Sequence, residues 1–285
     1  MTSESSARAS APYPHTSWRL LDGGAQPMQD GATNMAIDEA ILEAVAAGDS
    51  PPTLRFYGWK PACLSLGYAQ QAAVADWEAC AAFGWDVVRR PTGGRAILHV
   101  DELTYSVCAP EGEPRVAGTV LESYRRLSDA LAEGLELMGL KPARARADGA
   151  GESGPACFDG PANYEITIAG RKLVGSAQAR RLGVVLQHGS LPLTGDIGRI
   201  SRALAVEGEE ARTAIARGLA RQAITLENSL GREISFAEAA RFLADGFRRA
   251  LNLELAPDEL TVREWERARA IRAEKYGNRA WTRRL

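Results

Sequence analysis

At 285 residues, with 45% hydrophobic and 25% charged side chains, the chain has the make-up of a globular protein that buries a sizeable core, in one domain or two, and not of a fibrous or disordered one. Its 34 basic and 36 acidic residues are interspersed, and a formal net charge of −2 excludes a broad positive field for nucleic acid or anionic lipid. No apolar run approaches the roughly 18 to 20 residues that span a bilayer, and the four scattered cysteines, Cys63, Cys80, Cys108 and Cys157, give neither a disulfide framework nor a CxxC metal site, so no metal is expected.

Residues 1–17 are rich in Ser, Ala and Pro and lack the apolar stretch of a secretory signal, which predicts a disordered leader on a cytoplasmic protein. From Trp18 onward, WRLLD, TLRFYGW, CLSLG, WDVVRR, AILHV and LTYSV predict strands bounded by turns. Between them a helix is expected over 34–47, with Ile37, Ile41, Ala44 and Val45 on one face, Thr33 as its cap and Gly48 as its stop. A second helix is expected over 120–138, where Val120, Tyr124, Leu127, Leu131 and Met138 form one stripe behind a Thr119/Glu122 capping box. The polar, Gly-rich stretch 144–155 reads as a long loop. After it, YEITIAGRKLVGSA predicts a hairpin turning at Ala169 and Gly170, and GVVLQHGSLPL supplies another strand. From Asp196 the pattern turns helical, with a Ser235/Glu238 capping box ahead of Phe236, Ala239, Leu243, Phe247 and Leu251. A last charged helix over 258–276 is expected to pack through Leu260, Trp265 and Ile271. The whole predicts an α/β (α+β) fold: one mixed-sheet domain flanked by helices over 18–255, and a helical extension over 256–285 packed on it.

Three segments join reactive or anion-binding side chains to glycines. In RRPTGGRAILH (89–99), Arg89, Arg90 and Arg95 surround Gly93 and Gly94, whose backbone can approach a phosphate or carboxylate closely, and strand alternation puts His99 on the face of Arg95. A hairpin turn with solvated arginines fits the same composition. In PACFDG (155–160), Cys157 sits in a loop, where nucleophiles tend to stand, whereas Cys63, Cys80 and Cys108 lie in apolar patterns and read as core. In GRKLVGSAQARR (170–181), Lys172 precedes Gly175, Ser176 and Ala177, small residues that leave room for a ligand. A lysine beside a thiol favours the attacking thiolate, so Lys172 can serve Cys157; a solvent-facing lysine is the plain alternative. His188, in QHGS, reads either as a satisfied strand histidine or as a ligand-lining one.

Taken in order, RRPTGGRAILH, ELTYS, CFDG, GRKLVGSAQ and LQHGSL resemble the biotin/lipoate protein ligase superfamily, and within it most closely the LipM-type octanoyltransferases, over roughly residues 18–255. The resemblance implies a single α/β catalytic domain that takes octanoate from acyl carrier protein, whose phosphopantetheine bears the acyl group. The acceptor it implies is a lysine of a lipoyl domain, in the glycine cleavage H protein or a 2-oxoacid dehydrogenase E2 component. It implies no ATP and no other cofactor, and a monomer is expected. Carried over by motif, Cys157 is the acyl-thioester nucleophile and Lys172 lowers its pKa. Arg89, Arg90, Gly93, Gly94, Arg95, His99, Gly175, Ser176, Ala177, His188 and Gly189 are the expected substrate-binding set. The family's ATP-dependent ligases usually read GGG where this chain has Gly93, Gly94 and Arg95, carry Asn in the segment matching Leu103 to Ser106, and lack a cysteine at Cys157. Its amidotransferases normally follow the Gly-Gly pair with an apolar residue. A catalytically silent carrier-binding module is the non-enzyme alternative, and the intact Cys157 and Lys172 argue against it.

Overall fold

The structure, a computed structural model, describes residues 13–22, 28–144 and 165–285. Cys157, nearly all of the predicted loop and the first twelve residues of the predicted leader lie outside the described residues. The first half of the chain runs β1 (Thr16–Leu21), α1 (Gly31–Ala47), β2 (Thr53–Tyr57), β3 (Cys63–Leu66), α2 (Trp77–Ala82), β4 (Asp86–Arg89), β5 (Ile97–His99), β6 (Glu102–Pro110), α3 (Val120–Leu137) and β7 (Ala143–Arg144). The second half runs β8 (Ile166–Ile168), β9 (Arg171–Arg181), β10 (Val184–Pro192), α4 (Gly208–Gln222), α5 (Leu226–Leu230), α6 (Phe236–Leu251), β11 (Leu253–Pro257), α7 (Val262–Ile271) and α8 (Arg279–Thr282).

Among the described residues, eight strands form one mixed sheet in the order β11-β1-β2-β6-β10-β9-β8-β7, parallel from β11 to β2 and antiparallel beyond. A smaller sheet, β4-β3-β5, stands beside it. Strand alternation decides which way each residue faces. On β6, Leu103, Tyr105, Val107 and Ala109 join the core that Leu127, Leu131, Leu243 and Phe247 bring from α3 and α6. Thr104, Ser106 and Cys108 point the other way, toward α1, and that side holds the candidate site.

The hairpin turns where expected, with Ala169 at φ 48° and Gly170 at φ 76°, the two left-handed residues that a tight turn between twisted strands requires. Helix α1 starts three residues earlier than predicted, and its cap is Asp30, whose side chain accepts from Thr33 N at 2.7 Å, in place of Thr33 itself. The Thr119/Glu122 box closes reciprocally at the head of α3, but Val120 stands 52% exposed and takes no part in the core. Ser235 caps α6 as predicted, whereas the Glu238 carboxylate turns to Arg232, so that box is one-sided.

One strand lies where helix was predicted. β11 pairs parallel with β1 along Thr16 to Leu20, so the predicted boundary between residues 255 and 256 falls inside a strand. Beyond it, α7 packs on α1 with Leu260 and Ile271 buried and Trp265 against the same core. Arg19 of β1 donates to both carboxylate oxygens of Glu264, at 2.9 and 2.5 Å. The last residues fold back onto the smaller sheet: Trp281 Nε1 donates to the Arg89 carbonyl at 2.9 Å, and Ala72 N donates to the Leu285 carbonyl at 2.8 Å.

Candidate active site

Helix α1 carries a carboxylate into the protein. Asp38 is fully buried and accepts from Arg55 Nη1 at 2.7 Å, Tyr57 OH at 2.8 Å and Ser106 Oγ at 2.9 Å, with His188 Nδ1 at 3.4 Å. Burial alone raises its pKa, but the Arg55 charge and the His188 and Tyr57 hydrogen bonds outweigh it and hold the carboxyl below its ordinary value. His188 is pushed down by burial, which Asp38 offsets only in part, so the ring is neutral near pH 7. Its Nδ1–H then serves Asp38, and Nε2 accepts from Thr92 Oγ1 at 2.6 Å.

A second histidine–carboxylate pair stands on β5 and β6. His99 Nδ1 lies 2.9 Å from Glu102 Oε1, its Nε2 lies 2.8 Å from Ser65 Oγ, and its ring stacks on Trp59 with centroids 4.0 Å apart. Thr104 and Ser190 donate to the same Glu102 carboxylate. Burial raises the Glu102 pKa, and the facing His99 with these donors brings it below the usual range.

The Gly-Gly segment is fastened from beneath. Arg90, itself buried, donates through Nη1 to the Ser65 carbonyl and hydroxyl at 3.0 Å and through Nη2 to the carbonyls of Gly93 and Arg95 at 2.7 and 2.8 Å. Gly67 must lack a side chain, because a Cβ there would lie 1.8 Å from the Gly94 carbonyl oxygen. Gly94 itself sits at φ 88°, in the left-handed region.

These elements enclose a pocket of about 400 Å³ of empty space, part of it open to solvent, walled by Met35, Tyr57, Trp59, Ile97, His99 and Thr104. The walls are buried while Gly94 is exposed and Ser176 and Ala177 are half-buried, so the mouth lies between the Gly-Gly segment and β9. The pocket's lining surface is apolar, which suits a hydrocarbon chain. Burial holds His188 neutral, Asp38 and Glu102 are met by hydrogen-bond donors, and the Arg90 guanidinium is satisfied by carbonyls and the Ser65 hydroxyl.

Of the predicted site residues, Arg90, Gly94, His99, Ser176, Ala177, His188 and Gly189 line this one pocket. Gly189 is required by packing: a Cβ there would meet Ser176 Oγ at 2.4 Å and Tyr105 Cε1 at 2.6 Å, and Tyr105 OH and Ser176 Oγ lie 2.8 Å apart. Gly175 is buried as the cross-strand partner of Ser190, Gly93 is exposed on the lip, and Arg95 is half-buried beyond it. Arg89 does not reach the pocket. Its guanidinium is buried against the carbonyls of Gly67, Gln70 and Thr282, at 2.6 to 3.1 Å, because a desolvated cation must find acceptors nearby. The expectation that Arg89 meets a ligand's anion is thus replaced by an inward, bracing arrangement, while Arg90 stands in the pocket lining and braces the Gly-Gly segment.

Lys172 stands four residues before Ser176 on β9, about 13 Å along an extended strand. It is buried, not solvent-facing, and its Nζ lies 2.5 Å from Glu165 Oε1. The Cys63, Cys80 and Cys108 thiols are buried, and burial pushes their pKa values up, that of Cys80 to about 11, so they stay protonated at neutral pH. Among the described residues no group of three or more His, Cys, Asp or Glu side chains is placed to hold a metal ion. Sequence reading passed over Asp38, Glu102, Trp59 and Glu165. The one local signal was the pair of carboxylates, Asp38 and Glu39, inside MAIDEAIL, an otherwise apolar stretch of helix.

The chain is 44% identical over 271 residues to the octanoyltransferase LipM of Kyrpidia tusciae, covering 93% of this chain and 97% of the relative. It is 46% identical over 275 residues to the octanoyltransferase LipM of Moorella thermoacetica, covering 95% and 99%. In three dimensions it superimposes with a TM-score of 0.77, at 26% identity and over 95% of this chain and 98% of the other, on a bipartite lipoate protein ligase of Thermoplasma acidophilum studied with its E2 lipoyl domain. Residues 30–248 match the lipoyl protein ligase A/B catalytic domain, which takes in the pocket and every predicted site residue, and the chain belongs to that family.

Proposed function

We propose that this chain moves an octanoyl group from an acyl carrier protein, through a thioester on Cys157, to a lysine of a lipoyl domain. The chain is an acyltransferase of lipoate biosynthesis, an octanoyltransferase, by its kinship along nearly its whole length with enzymes of that activity. The observation that supports the reading is the apolar pocket opening onto β9, the strand that also carries Lys172. A buried methylene is worth about 0.8 kcal/mol, so the octanoyl tail alone supplies several kcal/mol of binding.

In the first step the Cys157 thiolate attacks the donor thioester carbon; the carrier thiolate leaves and takes up a proton, and one thioester replaces another. In the second step the neutral lysine amine of the lipoyl domain attacks that carbon, forming an amide. The amine loses its proton and Cys157 is released as the thiolate. Lys172 favours that thiolate in both steps, and Glu165 fixes the direction of its ammonium group.

Enzyme, octanoyl-carrier and unmodified lipoyl domain, mixed without nucleotide and followed by intact mass, should give octanoylated domain and an enzyme adduct that Cys157→Ala abolishes. Lys172→Met should slow adduct formation about tenfold at neutral pH, since a thiol returned to about 8.5 is only a few per cent ionised there, and the rate should recover in alkali. Product that appears only with ATP and free octanoate would make the enzyme a ligase.

A further inference from the structure

Outside the pocket mouth, β9 and β10 continue as the floor of a second groove. Ala177 and His188, cross-strand partners, line the pocket; the next pair on the same face, Ala179 and Leu186, lines the groove, and Arg181 follows. Pro91, three residues before the Gly94 lip, lines the groove with Tyr68 and Trp281, and the groove holds about 910 Å³ of empty space, part of it open to solvent. Its charge is one-sided. Arg181 Nη1 and Lys275 Nζ converge on a single carboxylate, Glu39, while Arg284 lies over the Tyr68 and Trp281 rings at 4.0 and 3.8 Å. The lining holds three cations, Arg180, Arg181 and Lys275, against the one carboxylate of Glu39, which leaves the groove positive, and the Arg181 side chain is half exposed. Arg89 and Arg90, nearer in sequence to the lip, are turned inward and cannot meet an anion outside it.

We propose that this groove seats the phosphate of the phosphopantetheine arm that delivers the acyl group, with Arg181 and Lys275 as its cationic partners. The inference rests on the octanoyl-transfer reading and extends it. Span supports it: Ala177 to Arg181 is four residues of strand, about 13 Å. An arm with about thirteen bonds from sulfur to phosphorus reaches roughly 15 Å when extended, taking the 3.3–3.6 Å per three bonds of an extended backbone. With the acyl chain in the pocket and the sulfur at the mouth, the phosphate arrives beside Arg181, whose planar fork suits two phosphate oxygens.

Two donors that differ only in that phosphate, octanoyl-4′-phosphopantetheine and octanoyl-pantetheine, isolate the contact. With the wild-type enzyme and a lipoyl domain as acceptor, the phosphorylated donor should have the higher kcat/KM by about tenfold or more, the worth of one hydrogen bond to a charged group. In Arg181→Gln/Lys275→Gln the ratio of the two kcat/KM values should fall toward one. Because that variant leaves Glu39 buried beside no cation, Arg181→Gln/Lys275→Gln/Glu39→Gln serves where the first fails to fold, with the same expected ratio. A wild-type ratio near one, or a ratio that survives in the folded variants, overturns the proposal. No octanoylated product from either donor or from an octanoyl carrier protein overturns the transfer reading itself, and the groove assignment with it.

Discussion

His188 gives the pocket wall a pH dependence whose sign follows from its burial. The ring's pKa is pushed below 6.5 by desolvation, with Asp38 restoring only part of the loss. Between that lowered value and 6.5 the unfolded chain holds a proton that the native state lacks, so stability rises with pH through this window and is complete above it. Urea midpoints should therefore fall as the pH is taken from about 7 to about 5.5, and should fall less in His188→Gln; equal slopes would acquit His188. Sequence reading found both histidines of the wall because each stands in a motif. It missed the partner of His188 because Asp38 lies 150 residues away and no local pattern reports such a pairing. Arg89 misled for a related reason: a guanidinium near glycines looks the same in a string of letters whether it faces an anion or backbone carbonyls, and here it faces four, those of Gly67, Tyr68, Gln70 and Thr282.

Helices α3 and α6 cross at two glycines. A Cβ on Gly246 would lie 2.3 Å from Gly134 N and 2.4 Å from the Ala130 carbonyl, so the two backbones touch with nothing between them. Alanine is ordinarily the better helix former by about 1 kcal/mol. Overpacking of about 1–3 kcal/mol outweighs that gain when the obstructing atoms are backbone. Gly246→Ala should accordingly destabilise the protein by roughly 1–2 kcal/mol, whereas Gly218→Ala in α4, where a new Cβ meets open space, should stabilise it by up to about 1 kcal/mol. Thermal or urea unfolding of the two variants checks the opposite signs. Elements set by local chemistry were legible: the α3 capping box, the left-handed turn at Ala169 and Gly170, the Gly48 stop of α1. β11 was not, since LELAP is too short for a period and becomes a strand only because β1 offers an edge.

At the scale of the whole molecule, the mixed sheet between helices was readable from the alternation of apolar runs and helical stripes, but its edge was not, because residues 253–257 close it beside residues 16–20. Ending the chain at residue 255 would cut β11, strip α7 from α1 and leave Arg19 buried without Glu264. Breaking such a pair costs about 3–5 kcal/mol by itself. That fragment should lose cooperative thermal unfolding; a sharp transition at the full-length midpoint would show that residues 256–285 are dispensable. The fold-back of the last helix has a consequence in time. Arg89 waits for the carbonyl of Thr282, 193 residues further on, and at 5–20 residues per second a ribosome needs roughly 10 to 40 s to supply it. Until then the turn at Gly67 and the lip above it lack their final strut, so a nascent chain that already holds every pocket-lining side chain has yet to finish its doorway.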